Sequence, residues 1–315
     1  MTRWGLVATI KAPARDVVSF AAWHIEAGAD RLFIYLDDEN EDARRALAAH
    51  PKCDVVVCDD AWWVEQTGKP PVRHQVRQSR NASHAYARAY DLDWLIHMDV
   101  DEFIISAQPV GELLSQIPSG TRTARIRPDE ALCPPDGGTP AAFKAFIPNG
   151  PDRRGIVGQL YPTFGPYLKG GFVSHAAGKV FTRTGHPDVA LRIHNSFCNG
   201  IVFSPEHSLD EAHLAHLHTT SWDHWRQMFR FRHDRGSYRA DLAPATPAEQ
   251  GGMTLHDLFD FLLETQGEAG LRTFFDEVCA DTPALRRRLQ ARGLLRLHDL
   301  ETEAAKNLHF PGFSS

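Results

Sequence analysis

The first hundred residues alternate between short apolar runs and segments with helical spacing. Apolar runs of strand length cover residues 4–10, 31–36 and 54–58, and another precedes Asp99. Pro13 suits the first turn of a helix that runs to about residue 27 and stops at Gly28, and a long helix is predicted from about 72 to 90. This alternation predicts an α/β fold with an open, mostly parallel sheet and right-handed crossovers.

Charged residues follow three of these predicted strands. Lys11, Asp37 and Asp99 each stand just beyond an apolar run. Because ligands of open α/β sheets gather at the carboxyl ends of the strands, the three residues are expected to meet in one cleft. Asp37 also opens an acidic run to Asp42, which would either cap the next helix or meet the hydroxyls of a ligand.

The most distinctive stretch is Asp99-Val100-Asp101-Glu102, which lies between two apolar runs. On an extended backbone, residues two apart point to the same side, so Asp99 and Asp101 would face each other. Two carboxylates held close together are costly unless a cation neutralises them. Oxygen ligands favour magnesium, manganese or calcium over zinc. The alternative is a solvated acidic turn at the end of a strand.

The second half of the chain divides at two changes of composition. Prolines and glycines recur from 118 to 177, which predicts an irregular segment facing an acceptor. A linker at 243–252 precedes periodic leucines and phenylalanines. The predicted domains are therefore residues 1–240, and residues 241–315 as a C-terminal helical extension.

Composition excludes several classes of protein. The chain has 315 residues, of which 43% are hydrophobic and 23% charged, as in ordinary globular proteins. A net charge of -6 argues against a nucleic-acid partner. Five dispersed cysteines predict a reducing, cytoplasmic location, and neither a signal peptide nor a membrane-spanning segment is predicted. The basic triplet at 286–288 is either a solvated helix face or a peripheral contact with the inner membrane face.

Several segments along the chain form a recognisable set of motifs. They are Trp23-His24, Phe33 to Asp37, the helix with Gln75, Gln78 and Asn81, Asp93 to Phe103, Gly178 to Phe181, His194-Asn195 and His216 to Ser221. Together these segments resemble the family 2-like and family 92-like glycosyltransferases of the GT-A fold. The likeness covers roughly residues 4–238, and its most specific part is 94–103. Lys11-Ala12-Pro13 departs from the Lys-Asn-Glu usual in these families.

This resemblance implies transfer of a sugar from a nucleotide-diphosphate sugar to a saccharide or lipid-linked acceptor. A uridine diphosphate donor, an inverting reaction and a manganese or magnesium ion are expected from it. A divalent cation would stabilise the charge of the departing diphosphate. The implied metal ligands are Asp101 directly, Asp99 and His218, with Glu102 orienting the acidic pair.

Further residues are candidates for binding the donor or for catalysis. Asp101 acts through the metal, and Glu130 is the predicted catalytic base, chosen because it follows a strand-like segment at 123–127. Asp129, Asp188 and Glu206 are alternatives in similar context. Helix capping, exposure or solvation are the competing explanations for the donor-binding candidates, which are Lys11, Asp37, Arg77, Gln78, Asp99 and Lys179.

Two other functions fit the same sequence. One is a non-catalytic sugar-binding or nucleotide-binding protein of the same fold. The other is a phosphatase or phosphotransferase that uses Asp-x-Asp as nucleophile and acid. Phe103 stands where enzymes of that kind, which resemble haloacid dehalogenases, have threonine or valine.

Overall fold

The structure is a computed structural model that describes residues 2–313, without the side chain of residue 248. Its strands and helices follow one another in the order β1 Trp4–Ile10, α1 Ala14–Glu26, β2 Arg31–Leu36, α2 Glu41–Ala48, β3 Cys53–Val57, α3 Asp60–Thr67, α4 His74–Arg88, β4 Trp94–His97, β5 Glu102–Ser106, α5 Val110–Ser115, β6 Thr123–Ala131, β7 Ala142–Ala145, α6 Arg153–Leu160, β8 Lys179–Arg183, β9 Val189–Leu191, β10 Ser196–Cys198, β11 Ile201–Val202, β12 Glu206–His216, α7 Trp222–Asp234, α8 Leu255–Gln266, α9 Glu268–Val278, α10 Pro283–Ala291, β13 Leu295–Leu297 and α11 Thr302–His309. Short 3₁₀ helices lie at Gly165–Tyr167 and Ala248–Gln250.

The chain forms two compact units that are interleaved in sequence. Unit 1 consists of Met1–Arg127, Ala177–Leu214 and Glu301–Ser315, and unit 2 consists of Pro128–Ala176 and Ala215–Leu300. These boundaries follow packing. The predicted division into residues 1–240 and 241–315 stays a prediction about folding domains.

The sheet of unit 1 is built on four parallel strands. They lie in the order β3-β2-β1-β4, and all three pairings between them are parallel. Strand β8 then pairs antiparallel with β4, and β6 pairs antiparallel with β8. The predicted α/β fold with parallel strands and helical crossovers is confirmed, and the architecture is consistent with the expected GT-A class.

Both faces of this sheet are covered, which explains the continuous apolar strands. All seven residues of β1 are buried. On one face, Ile34 and Ile96 belong to the core that includes Phe20 of α1. On the other, Phe33 and Leu95 belong to a second core with Ala82 and Ala85 of α4. Alternate residues of each strand therefore serve opposite cores, as the two-residue period requires.

The predicted limits of the first helix are confirmed. Pro13 is the N-cap residue of α1, and Gly28 follows its end with a φ of 92°. Proline suits the start of a helix because it lacks an N–H, and glycine adopts a positive φ without strain. The last helix, α11, packs against α1 within the same unit.

Unit 2 combines a small antiparallel sheet with helices. Strand β7 pairs antiparallel with both β6 and β13. The helices share a core that contains Trp225, Phe259 and Phe274. The predicted C-terminal helices are present as α8, α9 and α10. Residues 118–177 are less irregular than the sequence suggested, because they contain β6, β7 and α6.

No helix within residues 2–313 is both long enough and apolar enough to cross a membrane.

The glycine before β8 gives a test of this packing. Gly178 has a φ of 71°, and a Cβ there would lie 2.0 Å from the carbonyl oxygen of Ile126. We expect Gly178→Ala to lower the free energy of unfolding by about 3 kcal/mol or more, because conformational strain adds to a backbone clash. Urea denaturation measures this change.

Gly185 is the matched control, since its φ is 76° and a Cβ there would meet nothing within 4 Å. Gly185→Ala should therefore cost only the strain, about 1 kcal/mol. Equal losses in the two variants would contradict the close approach at Gly178.

Candidate functional site

The acidic motif forms a tight turn between β4 and β5. The backbone N–H of Glu102 donates to the carbonyl of Asp99 at 3.1 Å. In return, the Glu102 carboxylate accepts a hydrogen bond from the Asp99 N–H at 2.9 Å. The expectation of an extended backbone from Asp99 to Asp101 is therefore wrong, because these reciprocal hydrogen bonds fold residues 99–102 back on themselves.

Asp99 is held by two donors from other parts of unit 1. Gln78 Nε2 donates to Asp99 Oδ1 at 2.7 Å, and Lys179 Nζ lies 2.5 Å from Asp99 Oδ2. The same ammonium lies 3.1 Å from Glu102 Oε2. The Lys179 side chain is 0% exposed, whereas that of Asp99 is 31% exposed. The acidic motif thus contains an internal cation that neutralises part of its charge.

Asp99 and Lys179 both stay ionised. Burial opposes the charge on Asp99, but the adjacent Lys179 overcomes it and holds the pKa of this carboxyl well below its usual range. Burial likewise disfavours the charged Lys179, while Asp99 and Glu102 raise the pKa of the lysine well above its ordinary value. Asp99 therefore remains a carboxylate throughout the physiological range.

The predicted donor-binding residues of the neighbouring strands also lie at carboxyl ends. Arg77 Nη1 lies 2.8 Å from Asp37 Oδ1, just beyond β2. Lys11 is exposed just beyond β1. Asp38, which is not among the predicted site residues, has a buried Oδ1 without a hydrogen bond among the described residues. Burial raises the Asp38 pKa, while Lys11 lowers it and Asp37 raises it.

His97 is a second residue that sequence reasoning passed over, although it lies inside the motif. Its Nδ1 is 3.2 Å from the carbonyl of Arg192, and its Nε2 is buried without a hydrogen bond among residues 2–313. Burial lowers the pKa of His97 to about 4, with a further contribution from the charge of Lys179. The imidazole is therefore neutral near pH 7.

The remaining predicted metal ligands belong to different units. Asp101 is partly exposed in the turn of unit 1. His218 is buried in unit 2 just after β12, where Arg232 Nη2 donates to its carbonyl at 2.5 Å. The His218 ring centroid lies 5.3 Å from that of His216. That Asp101 and His218 hold one cation stays a prediction.

Glu130 lies in a setting unlike the loop expected for it. It is part of β6, which continues to Ala131, and its side chain is 2% exposed. Lys144 Nζ lies 2.6 Å from its carboxylate, which also accepts hydrogen bonds from the N–H groups of Val173 and Ser174. Burial raises its pKa, but Lys144 more than offsets this, so that the pKa is lowered. The role of base stays a prediction, and these contacts weigh against it.

Glu206, another candidate base, is also engaged. Arg125 binds it through Nε at 2.8 Å and Nη2 at 2.7 Å. Arg125 also donates to Asn195 Oδ1 and to the carbonyl of His194. The bidentate pair therefore ties β6 to β12 and to the segment after β9.

Comparison with known proteins gives a distant similarity of fold. No protein-family model matches the chain, and no curated protein matches it. HddC from Yersinia pseudotuberculosis is similar over 73% of this chain and 100% of its own, at 8% identity and a TM-score of 0.37. The galactosyltransferase LgtC in complex with donor and acceptor sugar analogs is similar over 57% of each chain, at 13% identity and a TM-score of 0.26. An active-site mutant of LgtC is similar over 39% of this chain and 45% of its own, at 12% identity and a TM-score of 0.24.

Removing the internal cation should destabilise unit 1. We expect Lys179→Met to lower the free energy of unfolding by about 3 kcal/mol, because it leaves the buried Glu102 and the partly exposed Asp99 without their cationic partner. Urea denaturation in the presence of EDTA measures the loss. Lys169→Met, at an exposed lysine, should change stability by less than about 0.5 kcal/mol. A loss no greater at Lys179 than at Lys169 would contradict the assigned ion pair.

The Glu130–Lys144 pair gives a second stability test. Glu130→Gln should cost about 3 kcal/mol because it leaves Lys144 buried without an opposite charge, and adding Lys144→Met should recover most of that loss. Because the pKa of Glu130 is lowered on folding, the wild-type advantage is complete above the unfolded value of about 4.3 and declines as the pH falls below it. Urea denaturation from pH 7 to pH 3 follows this decline.

A Glu130→Gln variant as stable as the wild type would contradict the pairing.

Activity distinguishes the two roles of Glu130. If the folded Glu130→Gln variant loses more than about a hundredfold in the rate of sugar transfer, the residue is the base, because general acid–base catalysis contributes at least that much. An unchanged rate assigns it to the core alone.

Proposed function

We propose that this protein is a metal-dependent glycosyltransferase that takes a sugar from a nucleotide-diphosphate sugar, with uridine diphosphate as the leaving group. The acceptor is a saccharide or a lipid-linked saccharide. The observation that carries the proposal is the acidic turn at the end of β4, where Asp99 is ionised and held by Lys179 and Gln78. Neighbouring parallel strands end beside further charged residues, as a nucleotide site of an α/β sheet requires.

The side chains of the turn fit a hard divalent cation. Asp101 offers a partly exposed carboxylate. Each oxygen of Asp99 accepts one hydrogen bond and keeps a second lone pair that can bind a cation. Oxygen donors of this kind suit magnesium or manganese. We assign Asp101 as the direct ligand, with Asp99 and the predicted His218 as further ligands. A bound cation would neutralise charge on the diphosphate.

The residues around the turn divide the remaining work. Lys179 cannot reach a ligand while fully buried, so its part is to orient Asp99 and keep it ionised, and Gln78 assists from the opposite oxygen. Lys11, Asp37 and Arg77 are the proposed contacts to the nucleotide. The Arg77–Asp37 ion pair presents the guanidinium in a fixed orientation.

The acceptor side rests on the sequence alone. We propose an inverting reaction, a reducing cytoplasmic location and a peripheral contact with the membrane when the acceptor is lipid-linked. Glu130 remains the proposed base from the sequence, and its burial makes it the weakest of the assigned residues.

Two alternatives, a phosphatase and a non-catalytic binding protein, differ from the proposed transferase in sequence or in turnover. A phosphatase of the Asp-x-Asp kind has threonine or valine where Phe103 follows this turn, and it would release phosphate from a phosphomonoester. A non-catalytic binding protein would bind the nucleotide-sugar without releasing free sugar or transferring it.

The decisive variant is Asp101→Asn, which keeps the shape of the side chain and removes its charge. We expect manganese-dependent affinity for uridine diphosphate to fall by more than about tenfold, equivalent to about 1.4 kcal/mol. Calorimetric titration with and without manganese measures it, and His218→Gln tests the second predicted ligand in the same way.

Asp136→Asn is the matched control, because Asp136 lies on an exposed loop. It should bind as the wild type does. Undiminished manganese-dependent binding by Asp101→Asn would remove the metal assignment. Binding without any release of sugar across a panel of acceptors would favour the non-catalytic protein.

A further inference from the structure

Unit 2 contains a cluster of two histidines and a carboxylate that the proposed transfer reaction does not use. His233 lies near the end of α7, while His256 and Asp260 lie one turn apart on α8. Their ligand atoms all lie within 4.8 Å of one another. His233 Nε2 is 2.9 Å from Asp260 Oδ1, and His256 Nε2 is 3.4 Å from Asp260 Oδ2.

These separations fit the donor spacing around a small divalent ion. Zinc binds histidine nitrogen and carboxylate oxygen at about 2.0–2.2 Å, which places neighbouring ligands of a tetrahedral site about 3.3 Å apart. The two nitrogen–oxygen distances lie on either side of that value. Mixed imidazole and carboxylate donors suit late first-row metals, whereas the oxygen donors of the acidic turn suit magnesium or manganese.

The Nδ1 atoms of the two histidines each lie near an oxygen atom other than those of Asp260. His256 Nδ1 lies 3.2 Å from the carbonyl of Tyr238, which can only accept, so Nδ1 carries the proton. In the neutral ring, Nε2 is then the lone-pair nitrogen, and it faces Asp260. His233 Nδ1 lies 3.5 Å from Asp234 Oδ1. Anchoring of the far nitrogen is what orients histidine ligands in metal sites.

The cluster also has a potential metal ligand atom that makes no hydrogen bond of good geometry, and it is accessible to solvent. His233 Nε2 is buried and makes no hydrogen bond of good geometry among the described residues, although Asp260 is near. The two imidazoles are stacked with their centroids 3.8 Å apart. The Asp260 side chain is 55% exposed, which leaves room for water to complete a coordination shell.

We propose that His233, His256 and Asp260 form a binding site for a late first-row divalent metal, with zinc as its probe. The bound ion joins the end of α7 to the start of α8 and closes the intervening loop. The stacked rings are parallel to within 18°, so one ion cannot lie in the planes of both rings at bonding distance. Binding therefore turns at least one ring out of the stack.

Zinc titration of the chelator-treated full chain tests the site. The background is Asp101→Asn, so that failure of the proposed transferase metal site does not affect the result. We expect one zinc ion per chain by calorimetry and a higher melting temperature with zinc, because the ion binds only the folded chain. Cobalt in place of zinc should give the visible absorption of a nitrogen-ligated site.

Matched variants decide the outcome. His256→Gln and Asp260→Asn should each lose the zinc-dependent rise in melting temperature and the cobalt absorption, while circular dichroism reports that they fold. His207→Gln changes an exposed histidine of β12 and should retain both. Absence of zinc binding in the Asp101→Asn background, or equal binding by His256→Gln and His207→Gln, would overturn the proposal.

Discussion

The candidate site depends on one buried ammonium. Lys179 is wholly enclosed and shared between Asp99 and Glu102, so the acidic turn is organised by a cation that the chain itself supplies. Two carboxylates on a four-residue turn would otherwise repel each other in a partly desolvated place. The lysine removes that penalty and fixes the orientation of Asp99. Asp101 is, like Asp99, a partly exposed acid of the turn, and the cation assignment centres on it.

A second buried lysine shows how burial separates structural from chemical roles. Lys144 and Glu130 are each 2% exposed, and Glu130 is saturated by backbone N–H groups as well. The pair therefore has its full complement of partners inside unit 2. Asp99 has a comparable ion pair but is 31% exposed, so it can still meet a ligand. The same interaction lies within a core in one place and orients a partly exposed carboxylate in the other.

Two histidine-containing regions of unit 2 differ in the same way. His218 is buried just beyond β12, where its carbonyl is held by Arg232 of α7. His233 and His256 instead share a carboxylate that is half exposed. Donors with both an anchored far nitrogen and a route to solvent are suited to exchangeable metal binding.

The sequence by itself determined the parallel strands, the first helix and the acids at the strand ends. Hydrophobic period and capping residues are local properties, and they act on the backbone directly. Tertiary structure decided the partners. Lys179 is 80 residues from Asp99, and its burial is visible only once β8 lies beside β4. The sequence around Glu130 predicts a loop, whereas in the structure Glu130 lies in β6 and pairs with Lys144 of β7. His233 meets Asp260 only because α7 and α8 pack together. Contacts between residues distant in sequence depend on chain topology, which a local pattern does not encode.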